Sequence, residues 1–162
     1  LFNHESPRRG NSFVTKKIVE QAVKIKKGLQ DSIKLGNIYS KRDWGHAKDY
    51  VEGMWRMLQH DAPDDFVLAT GEMHSVKEFI EIIFDKLGLP LEWKGNGLDE
   101  KGINPQTEDI YIEIDPYYFR PTEVDLLLGD PSKAQKVLNW ERQYGFSDLV
   151  EDMVQYELSR YS

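Results

Sequence analysis

The 162 residues include no cysteine. This excludes a disulfide framework, a thiolate metal site and a cysteine nucleophile, and it fits a reducing compartment. No apolar run approaches the ~18 residues that a membrane span requires. Basic charge is short as well: 21 Lys and Arg stand against 28 Asp and Glu, a net charge of −7. Such a balance argues against broad binding to the phosphate backbone of nucleic acid. There is no G-x-G-x-x-G, G-x-x-G-x-x-G or Walker pattern to cradle phosphates, and no G-x-S-x-G. None of the eight tyrosines is followed four residues later by lysine, so the helical Tyr-Lys pair that lowers a phenol pKa for proton transfer is missing. The histidines at 4, 46, 60 and 74 have no metal-ligand spacing. No complete active site is expected. The chain opens on Leu1-Phe2-Asn3-His4 with neither an initiator Met nor a targeting pattern, which reads as a cut inside a longer protein.

What is present is the composition of a globular α/β chain, with 40% hydrophobic and 30% charged residues. Thr15 is expected to cap a helix carrying Ile18, Val19, Ala22, Val23 and Ile25 on one face and ending near Gly28. Ile33 to Leu35 reads as a short strand. From His46 a second helix places Ala47, Tyr50, Val51, Met54, Trp55 and Leu58 on one side, which predicts a well-buried face. Phe66 to Ala69 reads as a strand broken by Gly71. Ser75-Val76-Lys77-Glu78 has capping-box spacing and opens a helix running to Gly88. Leu91 to Trp93 and Ile110 to Ile114 read as strands, with residues 95–109 as a loop between them. Asp130-Pro131 opens a short helix through Leu138, and Ser147 begins the last.

The chemistry-bearing residues are cations beside helix starts: Arg8 and Arg9, Lys16 and Lys17, Lys41 and Arg42, and Arg120. Arginine forks and helix N-termini both favour phosphate, so these can converge on a diphosphate; each is equally readable as a solvated surface charge. Asn3-His4-Glu5 is either a set of ligand contacts or a polar turn after a strand. Asp43 and Asp49, flanking Trp44 and His46, admit acid-base work or the fixing of a helix start. Trp44, Trp55, Trp93 and Trp140 are expected in the core or an interface.

Asn3-His4-Glu5-Ser6-Pro7-Arg8-Arg9-Gly10, Phe13 to Ile18, Lys41 to Glu52, Ala69 to Glu72, His74 to Val76, Phe119 to Asp125 and Gly129-Asp130 together resemble the GDP-mannose 4,6-dehydratase family. The similarity covers nearly the whole chain. It implies the C-terminal portion of an extended short-chain dehydrogenase/reductase, a Rossmann-type NAD(P)-binding fold with a small α/β substrate domain. Residues 1–162 would then be the nucleotide-sugar-binding half, with elements around 41–70 completing the Rossmann domain of the N-terminal half. The implied activity is a cytoplasmic lyase that converts GDP-mannose to GDP-4-keto-6-deoxymannose with bound NADP, on the way to GDP-fucose and related sugars. By resemblance His4 and Arg9 contact NADP, while Asn3, Val14, Lys17, Arg42, Arg120 and Glu123 contact GDP-mannose. The family's catalytic residues fall upstream of the matched region, so none is assigned and this portion alone is expected to be inactive. Implied partners are the N-terminal half and further copies in a homodimer or homotetramer, with no nucleic acid, metal or membrane. Another nucleotide-sugar dehydratase, reductase or epimerase, or a non-catalytic nucleotide-sugar-binding module, is the alternative.

Overall fold

Asn3–Glu5 forms strand β1, and a proline-containing loop leads from it to helix α1 (Val14–Lys26). The computed structural model describes residues 1–118 and 127–161. Strand β2 (Ile33–Leu35), the short β3 (Lys41–Arg42) and β4 (Trp44–His46) precede helix α2 (Ala47–Leu58). Then come β5 (His74–Ser75), α3 (Val76–Lys86), β6 (Glu92–Lys94), β7 (Lys101–Ile103), β8 (Ile110–Ile114), α4 (Ser132–Leu138) and α5 (Phe146–Ser159).

The strands form three sets. β1 lies parallel to β4, β3 pairs antiparallel with β5, and a four-stranded sheet runs in the order β2-β8-β7-β6. Within that sheet β2 and β8 are parallel and the other pairs antiparallel. The mixed α/β architecture follows the expected class. Helices α1, α3 and α5 pack on one another. The apolar spacing of α1 puts Ile18, Val19, Ala22 and Val23 into one core with Phe79, Ile80 and Ile83 of α3 and Leu149, Val150 and Val154 of α5. Burying each such side chain contributes roughly 1.5–3 kcal/mol. A smaller cluster joins Tyr50 of α2 to Leu68, Ala134, Leu138 and Trp140. Gly53 makes that approach possible, because a Cβ there would stand 2.5 Å from the Leu68 side chain.

Several expectations are corrected. Thr15 does not cap α1; it sits buried in the first turn and Phe13 precedes the helix without a side-chain cap. Ser75 does cap α3, accepting from the Glu78 N–H at 3.0 Å, but the Glu78 carboxylate turns to His74 Nδ1 at 2.9 Å, so the box is half formed. Phe66 to Ala69 forms no strand among the described residues: its one ladder-like bond is Phe2 N–H to the Leu68 carbonyl, and the next amide, Thr70, donates to a side chain. Residues 95–109 are more than a loop, since β7 lies there. Its Gly102 faces Leu91 and Ile112 at distances that admit no Cβ, so composition hid a strand that packing requires. The face of α2 is not buried: Tyr50 is, whereas Val51, Met54, Trp55 and Leu58 are exposed. Among the tryptophans, Trp44 and Trp140 are buried and Trp55 is exposed.

Candidate functional site

The parallel register sets Asn3 opposite Trp44, His4 opposite Gly45 and Glu5 opposite His46. His4 Nδ1 lies 3.0 Å from the Phe2 carbonyl oxygen. A carbonyl only accepts, so Nδ1 carries the proton and Nε2 of the neutral ring offers a lone pair. Behind the imidazole the Tyr50 ring stacks at 5.1 Å between centroids.

Glu5 is buried, accepts from the Thr15 hydroxyl at 2.6 Å and pairs with Arg9 Nε at 3.2 Å. The Arg9 guanidinium also covers the Phe13 ring at 3.4 Å. An ion pair and a ring face thus hold the arginine in place before any anion arrives, which lowers the ordering cost of binding. Burial pushes the Glu5 carboxyl above its ordinary value of 4.5, with the Thr15 hydrogen bond and the Arg9 and His4 charges opposing the rise. Folded protein therefore retains this proton at a pH where unfolded chain has lost it, so the Glu5 contribution to stability falls as pH rises from 4.5 through the raised value. Glu5→Gln keeps an acceptor for Thr15 and cannot ionise. Urea unfolding across that window should show a flatter pH profile for the variant; parallel profiles would contradict this assignment.

Val14 is the first residue of α1 and is exposed. One turn on, Lys17 donates to the Lys34 carbonyl at 2.8 Å and its ammonium lies 4.2 Å from the Tyr118 ring centroid. Burial pushes the Lys17 amine down, with the Asp115 carboxylate working against it. Arg42 lies in β3 opposite His74 and donates to the Lys41 carbonyl at 2.8 Å. Arg120 and Glu123 lie outside the described residues. Tyr118 sits beside Lys17, and the Leu127 carbonyl accepts the Asp43 N–H at 3.1 Å, next to Arg42. A cavity of about 390 Å³ opens between Gly36 to Tyr39 and Ile114 to Pro116, at the C-terminal ends of the parallel β2 and β8. Open α/β sheets take their ligands at such ends.

Other candidates belong to the scaffold. Lys16 is buried in an ion pair with Glu157 at 2.6 Å and leaves the cation set. Asp43 and Asp49 are engaged as acceptors that tie chain segments together. Asp43 accepts from the amides of Thr70, Gly71 and Gly129 and from the Thr70 hydroxyl, and Asp49 accepts from the amides of Gln143 and Tyr144. His46 caps α2 by accepting the Lys48 N–H and donates from Nε2 to Asp152 at 2.9 Å. Arg8 and Lys41 are exposed. No cluster of three or more His, Asp or Glu among the described residues is placed to hold a metal ion. No described helix is long and apolar enough to cross a membrane. Sequence reasoning missed the Glu5–Thr15 support and the Tyr39–Glu100–Lys77 network, in which buried Glu100 accepts from both partners. The latter spans 61 positions, and no local pattern could have announced it.

A sequence model of the GDP-mannose 4,6 dehydratase family matches residues 1–153. The chain belongs to this family. The GDP-mannose 4,6 dehydratase of Drosophila melanogaster is 53% identical over 158 residues, 98% of this chain and 40% of the relative. The human enzyme of that name is 53% identical over 95% of the chain and 41% of its own length, and that of Sinorhizobium fredii is 52% identical over 98% and 45%. The chain therefore spans less than half the length of these relatives. Its fold is that of NAD(P)-binding epimerases and dehydratases. The RMD protein of Pseudomonas aeruginosa complexed with NADPH superposes with a TM-score of 0.79 at 20% identity, covering 98% of this chain and 46% of that one. The UDP-glucose 4-epimerase of Thermotoga maritima with UDP-glucose superposes at 0.74 and 18% identity, covering 99% and 45%.

The dinucleotide implied by this family fits the β1 residues in part. Arg9 offers a fixed cation whose buried Nε has no hydrogen-bond partner among the described residues, its 3.2 Å approach to Glu5 being an ion pair only. His4 adds an oriented acceptor. These groups can hold one side of a cofactor; no glycine-rich phosphate turn accompanies them in the sequence.

Proposed function

We propose that the full-length protein is a lyase converting GDP-mannose to GDP-4-keto-6-deoxymannose with NADP, and that this chain is its C-terminal nucleotide-sugar-binding portion. The observation that carries the reading is the family match over residues 1–153, in a chain that presents partly exposed cations at Lys17 and Arg42. Lys17, Arg42 and Arg120 would neutralise the diphosphate, Glu123 would accept from a ribose hydroxyl, and Asn3 and Val14 would line the sugar nucleotide. His4 and Arg9 would hold NADP. When bound, NADP supplies the oxidation and re-reduction of the sugar. The groups that move the sugar's protons would come from the remainder of the polypeptide, which leaves this portion able to bind and orient but not to turn over.

β1, β4 and α2 are the elements we assign to the shared Rossmann sheet, since their parallel two-stranded pair is small and α2 shows Val51, Met54, Trp55 and Leu58 to solvent. Packing of the N-terminal half on that stripe would cover it. Trp55→Glu with Leu58→Glu should lower self-association of the isolated chain in sedimentation while lowering the melting temperature of the full-length enzyme. An unchanged full-length melting temperature would free the stripe for another partner. Assembly as a cytoplasmic homodimer or homotetramer completes the proposal.

Full-length and isolated chains assayed with GDP-mannose test the reading: turnover is expected in the first and absent in the second. Arg42→Ala in the full-length enzyme should weaken GDP-mannose binding by on the order of 2–4 kcal/mol, the cost of a lost buried charge-assisted contact. Displacement of GDP-mannose by dTDP-glucose would overturn the substrate.

A further inference from the structure

We propose that Gly45 and Tyr50 are positioning residues for the His4 imidazole, fixing the direction in which its Nε2 meets the cofactor; this rests on the reading of His4 as a cofactor contact. Three observations converge. His4 and Gly45 are register partners on the parallel β1–β4 pair. The Tyr50 ring, rising from the first turn of α2, stacks on His4 with an interplanar angle of 29°. A Cβ on residue 45 would stand 2.4 Å from a Tyr50 ring carbon, 2.9 Å from its hydroxyl and 3.0 Å from Thr70 Cγ2. The glycine is thus needed for clearance beneath the aromatic ring.

Tyr50 cannot easily yield. It is buried, its ring meets Trp140 edge-on at 6.1 Å, and Trp140 is itself tied to the Asp49 carbonyl at 2.8 Å. The imidazole is therefore held twice: the Phe2 carbonyl sets the tautomer at Nδ1, and the Tyr50 face sets the ring plane. With both fixed, the remaining lone pair has one direction. The Tyr50 hydroxyl is buried with no hydrogen-bond partner among the described residues. Burial pushes this phenol far up, and the Asp43 carboxylate adds to the rise, so it stays protonated. The ring, not the hydroxyl, makes the stack.

The test uses the full-length enzyme, with calorimetric affinities for NADP and for GDP-mannose in each variant. Misplacing an oriented contact by a fraction of an ångström costs on the order of tenfold, and we expect that loss of NADP affinity in Tyr50→Met and Gly45→Ala. Tyr50→Phe keeps the ring and should restore NADP affinity to within about twofold of wild type. GDP-mannose affinity should hold in every variant, whereas a general loss of structure would lower both. His4→Ala combined with Tyr50→Met should be no weaker for NADP than His4→Ala alone, since a positioning residue has nothing left to position. Additive losses, or a Tyr50→Phe as weak as Tyr50→Met, would overturn the proposal. If His4→Ala leaves NADP affinity intact, the cofactor reading of His4 fails instead. Positioning is then judged by NMR of labelled histidines in the wild-type enzyme: the Tyr50 ring current should shift the His4 ring protons upfield. The same measurement serves if Tyr50→Met does not fold, and unshifted His4 protons would overturn the stack.

Discussion

Asp43→Asn should destabilise the protein by roughly 3–5 kcal/mol, the range for breaking a buried, fully used carboxylate network. The native carboxylate has no exposed surface. Its Oδ1 accepts from the Thr70 amide and hydroxyl, both at 2.8 Å, and its Oδ2 from the amides of Gly71 at 3.1 Å and Gly129 at 3.2 Å. Asparagine has nearly the same shape, but one of its two ends is a donor. In either amide orientation, donors would face donors and at least one backbone N–H would be left buried and unpaired. The three chain segments meeting here have no slack to relax into, since a Cβ on Gly129 would already lie 2.2 Å from the Ala69 Cβ. Urea unfolding reads the loss, and amide hydrogen exchange at residues 70, 71 and 129 locates it. Unchanged protection at those amides would show that the carboxylate is dispensable.

The second large effect is expected from Lys16→Met. Lys16 lies in the first turn of α1, where the helix dipole disfavours a cation. It is nevertheless almost fully buried, because Nζ donates to Glu157 at 2.6 Å and to the Pro7 carbonyl at 3.2 Å. Glu157 is wholly buried on α5, and its other partner, Arg160, is half-exposed. Removing the lysine leaves a desolvated carboxylate with only that partial compensation, which costs about 3–5 kcal/mol. Pairing Lys16→Met with Glu157→Leu should return most of the stability, since a buried ion pair exchanged for apolar contact is near neutral. A double variant as unstable as the single one would mean that Lys16 acts through packing rather than charge.

These two residues show where local sequence reading stops. Asp43 and Lys16 both look like site chemistry on paper: one beside a histidine and a tryptophan, the other in a run of cations before a helix. What removes them from the site are partners 86 and 141 positions away. Arg9, Lys17 and Arg42 stayed candidates because none of them is buried as Lys16 is, although the charged end of each already meets a neighbour: Glu5 and the Phe13 ring, the Lys34 carbonyl and the Lys41 carbonyl. The α2 stripe was legible as apolar but not as exposed, because periodicity reports which side of a helix is greasy and says nothing of what covers it.

From the sequence alone came the helix positions, the α/β class, the family resemblance and the list of cations and β1 polar residues from which a phosphate-binding site is drawn. Those are properties of spacing and of side-chain type, carried within a few turns or a few strand positions. Only the tertiary structure decided which charges are consumed in the scaffold, as those of Lys16 and Asp43 are. It also decided that a glycine in β4 and a tyrosine in α2 meet a histidine in β1. Such choices depend on burial and on contacts between distant segments, because the cost of an unpaired charge or a misplaced ring is set by its surroundings and not by its neighbours in the chain.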